Sequence, residues 1–199
     1  MRYLYFFLLA TLIFPVHLNA QSCNTTSHTA GYKKLGNGKT VYVKAGNQSY
    51  YKNGTLKKAI LYYSTYLKAG DGRSYYITDE DEVSFFDNGA LKKVKLAYSA
   101  YIKDGNGKSH YVDHDFFVRF YKNGALKYFQ PTYNQYYKLG NGKSVYIADE
   151  GRVSLHKNGM LKEGTLAIST NLKTHHGYEF FQSGQKLEFE EDGTVKYCD

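Results

Sequence analysis

From Tyr32 to the end of the chain, apolar and polar residues alternate in short runs, and each run closes on a glycine-bearing turn. Tyrosine, phenylalanine, valine and isoleucine take every second position in these runs, and no window shows helical periodicity, so the pattern predicts β-strands. The turns form a ladder. Asn37-Gly38, Asn53-Gly54, Asp71-Gly72, Asn88-Gly89, Asn106-Gly107, Asn123-Gly124, Asn141-Gly142, Asn158-Gly159, His176-Gly177 and Asp192-Gly193 follow at gaps of 16, 18, 17, 18, 17, 18, 17, 18 and 16 residues. Asn-Gly and Asp-Gly take positive φ cheaply at both central positions, as a two-residue hairpin turn requires. Only His176-Gly177 lacks that chemistry. About fifteen residues between rungs leave room for two strands and a second turn. In one such interval residues 73–78 and 83–87 are the expected strands, with Asp79-Glu80-Asp81-Glu82 as the return bend.

The alternation of 17 and 18 makes a true period of 35, with units at 32–64, 66–99, 101–134, 136–169 and 171–199. The first half of a unit reads Y-x-K-x-G-[ND]-G-[KR]-S-x-Y-[VI] and the second V-x-[FL]-x-x-N-G-x-L-K. Repetition at this period is the mark of a repeat architecture. The expected fold is all-β: an antiparallel β-hairpin repeat array, a coiled meander of about twenty short strands in a single repeat domain. The alternative is five small four-stranded blades closed as a β-propeller, because a flat open sheet of that width curls or closes.

Side-chain alternation sorts residues into rows. Tyr42, Tyr76, Tyr111, Tyr146 and Phe181 share one row; Val83 with Phe85, Val118 with Phe120, Val153 with Leu155 and Leu187 with Phe189 share another; Lys57, Lys92, Lys127, Lys162 and Lys196 form a third. From Gln21 onward 27 Leu, Ile and Val stand against 29 Tyr and Phe, with no Trp. That balance predicts a thin core and a half-exposed sheet.

The recurring F-Y-x-N-G-x-L-K, as in Phe120-Tyr121-Lys122-Asn123-Gly124-Ala125-Leu126-Lys127, is similar to the bacterial variant of the MORN repeat. The resemblance covers the half-repeats from about residue 50 to 196. It implies stacked hairpins used for binding or scaffolding, sometimes at membranes, and no catalytic residues. The 35-residue doublet is longer than a simple unit of that family, and the G-N-G-K-S half departs from its pattern.

Residues 1–20, with Arg2, an apolar run and Leu18-Asn19-Ala20, read as a secretory signal cleaved before Gln21. A spanning helix and a lipid anchor at Cys23 are the competing readings; the run is short for the first, and Ala20-Gln21-Ser22 fits the second badly. The expected location is secreted, periplasmic or cell-surface, with no transmembrane segment after cleavage. Residues 21–31 form an extension carrying Cys23, and the other cysteine, Cys198, lies beyond the last rung. Two cysteines flanking an exported array most simply pair, within one chain or between two.

Without Arg2 the chain carries 25 Lys and Arg against 18 Asp and Glu, an excess of seven positive charges. That favours anionic partners, although no cluster of four basic residues occurs and a merely soluble surface accounts for it as well. The row Tyr42, Tyr76, Tyr111 and Tyr146 beside Lys39, Arg73, Lys108 and Lys143 would present flat rings and cations to an anionic polymer, a glycan, an envelope surface or a protein. The same tyrosines also read as the packing face of the sheet. Single-stranded nucleic acid uses this chemistry too, and the export signal argues against it. Besides a binding protein, a self-assembling structural envelope component fits the pattern.

Catalysis needs unlike groups that break the repeat. His110, His114, His175 and His176 are the candidates; an enzyme reading would place its site in the irregular last unit around His175-His176-Gly177. His110 aligns with Val41, Tyr75 and Val145 and reads as a repeat position that drifted. The acidic bends at Asp79-Glu80-Asp81-Glu82, Asp113-His114-Asp115 and Asp149-Glu150 lack constant ligand spacing and read as solvated turns. No nucleophile elbow, phosphate loop or paired-cysteine motif occurs, so no catalytic residue, metal or cofactor is expected. Asn24, Asn47 and Asn53 stand in glycosylation sequons that matter only in a eukaryotic host.

Overall fold

The computed structural model describes residues 28–196. The signal segment, most of the 21–31 extension and the Cys23–Cys198 pair lie outside the described residues.

Each unit folds as four strands. The first contributes β1 (Gly31–Lys34), β2 (Thr40–Val43), β3 (Ser49–Tyr50) and β4 (Leu56–Ile60), and the second β5 (Thr65–Lys68), β6 (Ser74–Ile77), β7 (Glu82–Phe85) and β8 (Leu91–Lys95). The third gives β9 (Ala100–Lys103), β10 (Ser109–Val112), β11 (Phe117–Phe120) and β12 (Leu126–Phe129). The fourth gives β13 (Gln135–Lys138), β14 (Ser144–Ile147), β15 (Val153–Leu155) and β16 (Leu161–Thr165). The last gives β17 (Thr170–Thr174), β18 (Gly177–Phe181), β19 (Lys186–Phe189) and β20 (Val195–Lys196). All described strands pair antiparallel and no helix forms among the described residues, which make an all-β array of hairpins. Among the described residues, no helix is long and apolar enough to cross a membrane.

The array is not one meander. The second halves of the units join edge to edge into a ten-stranded sheet running from β3 to β20, while the first halves remain five separate two-stranded hairpins. The expected strand pair at 73–78 and 83–87 therefore corresponds to β6 and β7, which belong to different sheets. The acidic stretch between them carries the chain from one layer to the other, and so it is not a hairpin turn. No blade or barrel closes, because each unit gives two strands to one open sheet.

Two contacts hold the hairpin layer on the sheet. At one end, single bridges Val43↔Leu61, Ile77↔Leu96, Val112↔Pro131 and Ile147↔Leu166 tie each of the first four hairpins to the residues just past its own unit's last sheet strand. At the other end, each hairpin turn rests on the sheet turn of the following unit. There a Cβ added to Gly36, Gly70, Gly105 or Gly140 would lie 1.8, 2.0, 1.9 or 1.8 Å from the carbonyl oxygen of Asp87, Lys122, Lys157 or Glu191. The glycine that opens each G-N-G turn thus lets two backbones touch. In the fifth unit the equivalent residue is His175, which is exposed, and no further sheet turn lies beyond β19 and β20 among the described residues.

The turns also differ from expectation. Among the described residues, none other than glycine has positive φ, so the Asn or Asp of each rung stays right-handed. In the first rung Gly38 N–H donates to the Leu35 carbonyl at 3.0 Å and Leu35 N–H to the Lys39 carbonyl at 2.7 Å. This is a three-residue loop, a type I turn followed by a left-handed glycine, rather than a two-residue type I′ turn. The Asn37 carboxamide oxygen accepts the Lys39 N–H at 3.0 Å, and that bond stabilises the type I arrangement.

The core lies between the layers. Val83, Phe85, Val118, Phe120, Val153 and Leu155 point inward from the sheet as their spacing predicts, with Phe189 buried and Leu187 half-buried. Val41, Val43, Ile77, Ile102, Val112, Val145 and Ile147 meet them from the hairpins. The interior is therefore a continuous two-layer core, deeper than the thin half-exposed sheet that the aromatic content suggests. Most tyrosines stand outside it, and the aliphatics are concentrated within it.

Candidate binding surfaces

The strand parity that buries Val41 and Val43 turns Tyr42 outward, and the same holds for Tyr76, Tyr111 and Tyr146, all half-buried on the outer face of the hairpin layer. Each stands directly across its hairpin from a second tyrosine: Tyr32↔Tyr42, Tyr66↔Tyr76, Tyr101↔Tyr111 and Tyr136↔Tyr146. Ring centroids within these pairs are 4.9, 4.8, 4.9 and 4.7 Å apart. Tyr32, Tyr66, Tyr101 and Tyr136 are 74, 69, 67 and 58% exposed, so the rings support one another while leaving their outer faces in solvent. Each unit adds two strands to the sheet beneath, which sets the ladder's pitch at about 10 Å.

Tyr98 extends the ladder by stacking on Tyr76 at 5.8 Å, and Tyr62 and Tyr63 extend it by closing around Tyr42. A groove of about 270 Å³ opens between the first two hairpins, lined by Tyr32, Tyr42, Tyr63, Tyr66, Lys39 and Lys68. Here the structure brings together two of the residues singled out from sequence, Tyr42 and Lys39.

Lys39, Arg73, Lys108 and Lys143 are exposed at the turn end of the hairpins, and the last three engage neighbouring groups. Arg73 lies 3.6 Å from Asp71; Lys108 donates to the Tyr136 carbonyl at 2.9 Å; Lys143 bonds the Tyr178 hydroxyl at 3.0 Å. The Lys143 ammonium, through that bond, holds the Tyr178 phenol below its ordinary range. The cations that share the tyrosines' own face are others: Lys34, Lys68, Lys103 and Lys138, each two residues after an exposed tyrosine and outward by the same parity. Sequence reasoning passed over them, although the Y-x-K spacing of each unit places ring and cation on one face.

The opposite face of the molecule is the outer side of the ten-stranded sheet. The residue before each sheet turn leans toward the next unit: Tyr51 and Tyr121 donate their hydroxyls to the Phe85 and Leu155 carbonyls at 2.8 and 2.7 Å. Burial raises both phenols above their ordinary range. The third-row lysines stand over these rings, Lys57 on Tyr51, Lys92 on Phe86 and Lys127 on Tyr121, at 5.8, 5.8 and 5.2 Å.

The groups that break the repeat do not converge on one site. His110 is buried, with Nε2 2.8 Å from the Asp104 carboxylate, and each side chain is 1% exposed. Its ring stacks on Tyr137 at 5.5 Å, and burial pushes the Tyr137 phenol far above its ordinary range. Sealed between the layers, this pair does structural work. The ligand atoms of Asp113, His114 and Asp115 lie within 4.8 Å of one another in an exposed bend, held by the hydrogen bond between Ser99 Oγ and His114 Nδ1 and by Asp115 N–H on Asp113. At the first acidic bend Ser64 bonds the Asp79 carboxylate, keeping it below its ordinary range, and Lys58 and Lys95 neutralise Glu82 and Asp81. His175 and His176 are exposed at the tip of the last hairpin.

Compared with known protein families and with curated proteins, the chain matches none.

Proposed function

We propose that the chain is an exported, non-catalytic binding protein that holds an extended carbohydrate-containing polymer or envelope surface along the tyrosine ladder of its hairpin layer. Binding or scaffolding in general is what the resemblance to MORN-type hairpin arrays implies. The observation that carries the proposal is the set of four cross-strand tyrosine pairs standing outside a core that is already complete without them. Flat rings with one face in solvent suit sugar rings, the flanking Lys34, Lys68, Lys103 and Lys138 suit carboxylate or ester groups on them, and repetition at a fixed pitch gives avidity for a polymer. The edge strand β3, only two residues long, disfavours open-ended stacking of sheets at that edge, which weakens the reading as a self-assembling component.

Changing Tyr66, Tyr101 and Tyr136 together to serine is expected to weaken retention on insoluble polysaccharide by about tenfold or more, because three stacking contacts are lost. Stability should fall by only about 0.5 to 1 kcal/mol per tyrosine, the cross-strand share of each ring. Undiminished retention by a variant that still folds would remove the ladder from consideration.

A further inference from the structure

On the outer face of the ten-stranded sheet one row of residues runs in register across every strand, and its charge is uneven. It reads Ser49, Lys58, Ser84, Lys93, Arg119, Tyr128, Ser154, Glu163, Glu188 and Lys196. Like charges directly opposite one another on neighbouring strands destabilise a sheet. The row contains two such pairs. Glu163↔Glu188 is compensated, Glu163 by Lys186 and Glu188 by Lys162 and Lys196 at 3.8 and 3.6 Å. Lys93↔Arg119 is not: among the described residues neither is ion-paired to a carboxylate. Their charges rest instead on the rings of Phe117 and Tyr128, at 4.0 and 5.1 Å.

Around this pair the sheet forms a groove of about 710 Å³, whose cations are Lys92, Lys93, Arg119, Lys122, Lys127 and Lys157. Among the described residues no carboxylate lines it, and of its cations only Lys122 has an acidic partner, Asp87 at 2.6 Å. Lys92 and Lys127, like Lys122 and Lys157, occupy the same position in consecutive units, so the cations recur at the two-strand pitch of about 10 Å.

The geometry points to a second binding site here, on the face opposite the tyrosine ladder, for an acidic glycan strand bearing sulfate or phosphate esters. Its ester groups supply the negative charge that the Lys93–Arg119 pair lacks, with Arg119 able to meet an oxyanion through two parallel N–H donors. The glycan is favoured over single-stranded nucleic acid because bases need open ring faces. In this groove Phe86 and Tyr121 each already carry a lysine of their own.

The test measures binding of a heparin hexasaccharide to the full mature protein by calorimetry. The site predicts at least a tenfold weaker affinity for K93Q/R119Q, together with an unchanged or higher melting temperature because a repulsion is removed. It predicts less than a threefold change for the charge-matched K52Q/K57Q, exposed in the first unit outside both the groove and the ladder, and undiminished retention of K93Q/R119Q on insoluble polysaccharide, which the ladder carries. The last arm separates this site from the ladder. Equal losses in the two lysine variants would mean diffuse attraction and would overturn the proposal. So would undiminished binding of desulfated heparin, or an oligodeoxythymidylate of equal charge binding as tightly through the same residues. Should K93Q/R119Q fail to fold, K127Q/K157Q, at exposed positions on the rim of the groove, carries the same expectation.

Discussion

Replacing Asp104 by leucine alone is expected to cost about 3 to 5 kcal/mol, read as a drop in the urea midpoint, while the double variant D104L/H110V should lie within about 1 kcal/mol of the parent or above it. The asymmetry follows from burial. Asp104 Oδ2 meets His110 Nε2 at 2.8 Å between the layers, and Oδ1 accepts the N–H groups of Asn106 and Lys108 in the turn at 3.0 and 2.9 Å. Removing one partner leaves the other desolvated with nothing to bond. Removing both recreates a pair already used by this fold, because the same two positions hold Leu35 with Val41 and Leu139 with Val145. The backbone would keep its turn, since Lys108 N–H also bonds Asn106 Oδ1 at 3.0 Å, as in the sister units. Additive losses in the double variant would show that the two residues act independently and that the repeat comparison fails.

Gly70→Ala is expected to destabilise by about 3 kcal/mol or more, and Gly72→Ala by about 1 to 2, although the two glycines share a turn. A Cβ on Gly70 would sit 2.0 Å from the Lys122 carbonyl oxygen and 2.6 Å from Gly124 N, both backbone atoms of the sheet layer. Neither atom can move without lifting the hairpin off the next unit. Gly72 has φ +83° and open space around it, so alanine there meets only backbone strain. Equal midpoints for the two variants would refute the interlayer contact.

The sequence makes the unit plain, because every rung is marked by the same turn chemistry and the valine–phenylalanine spacing places Val83, Phe85 and their counterparts in the core. It conceals the division into layers. Hairpin halves and sheet halves share one spacing and one strand length, and nothing local tells that β6 turns back to β5 while β7 goes forward to the sheet. The turn type was misread because Asn-Gly serves a two-residue loop and a three-residue loop equally well. The first glycine of G-N-G gives no local signal of its role, because the reason for it lies about fifty residues away, in another unit's backbone. At the surface, Tyr42 and its counterparts were legible as a row but not as its better-exposed half. The clue to Tyr32, Tyr66, Lys34 and Lys68 was their shared parity two residues apart. His110 as a drifted position was half the observation: Asp104 departs in the same unit six residues earlier, and two departures together mark a pair.

The five hairpins exchange no ladder hydrogen bonds with one another, whereas the strands beneath them are continuously bonded. The protein is therefore stiff on one side and slatted on the other. Slats hinged at a corner and propped on a neighbour's tip can fan apart or draw together by small amounts without breaking a strand pairing. The spacing of the tyrosine pairs on them can then adjust while the backing sheet keeps its length.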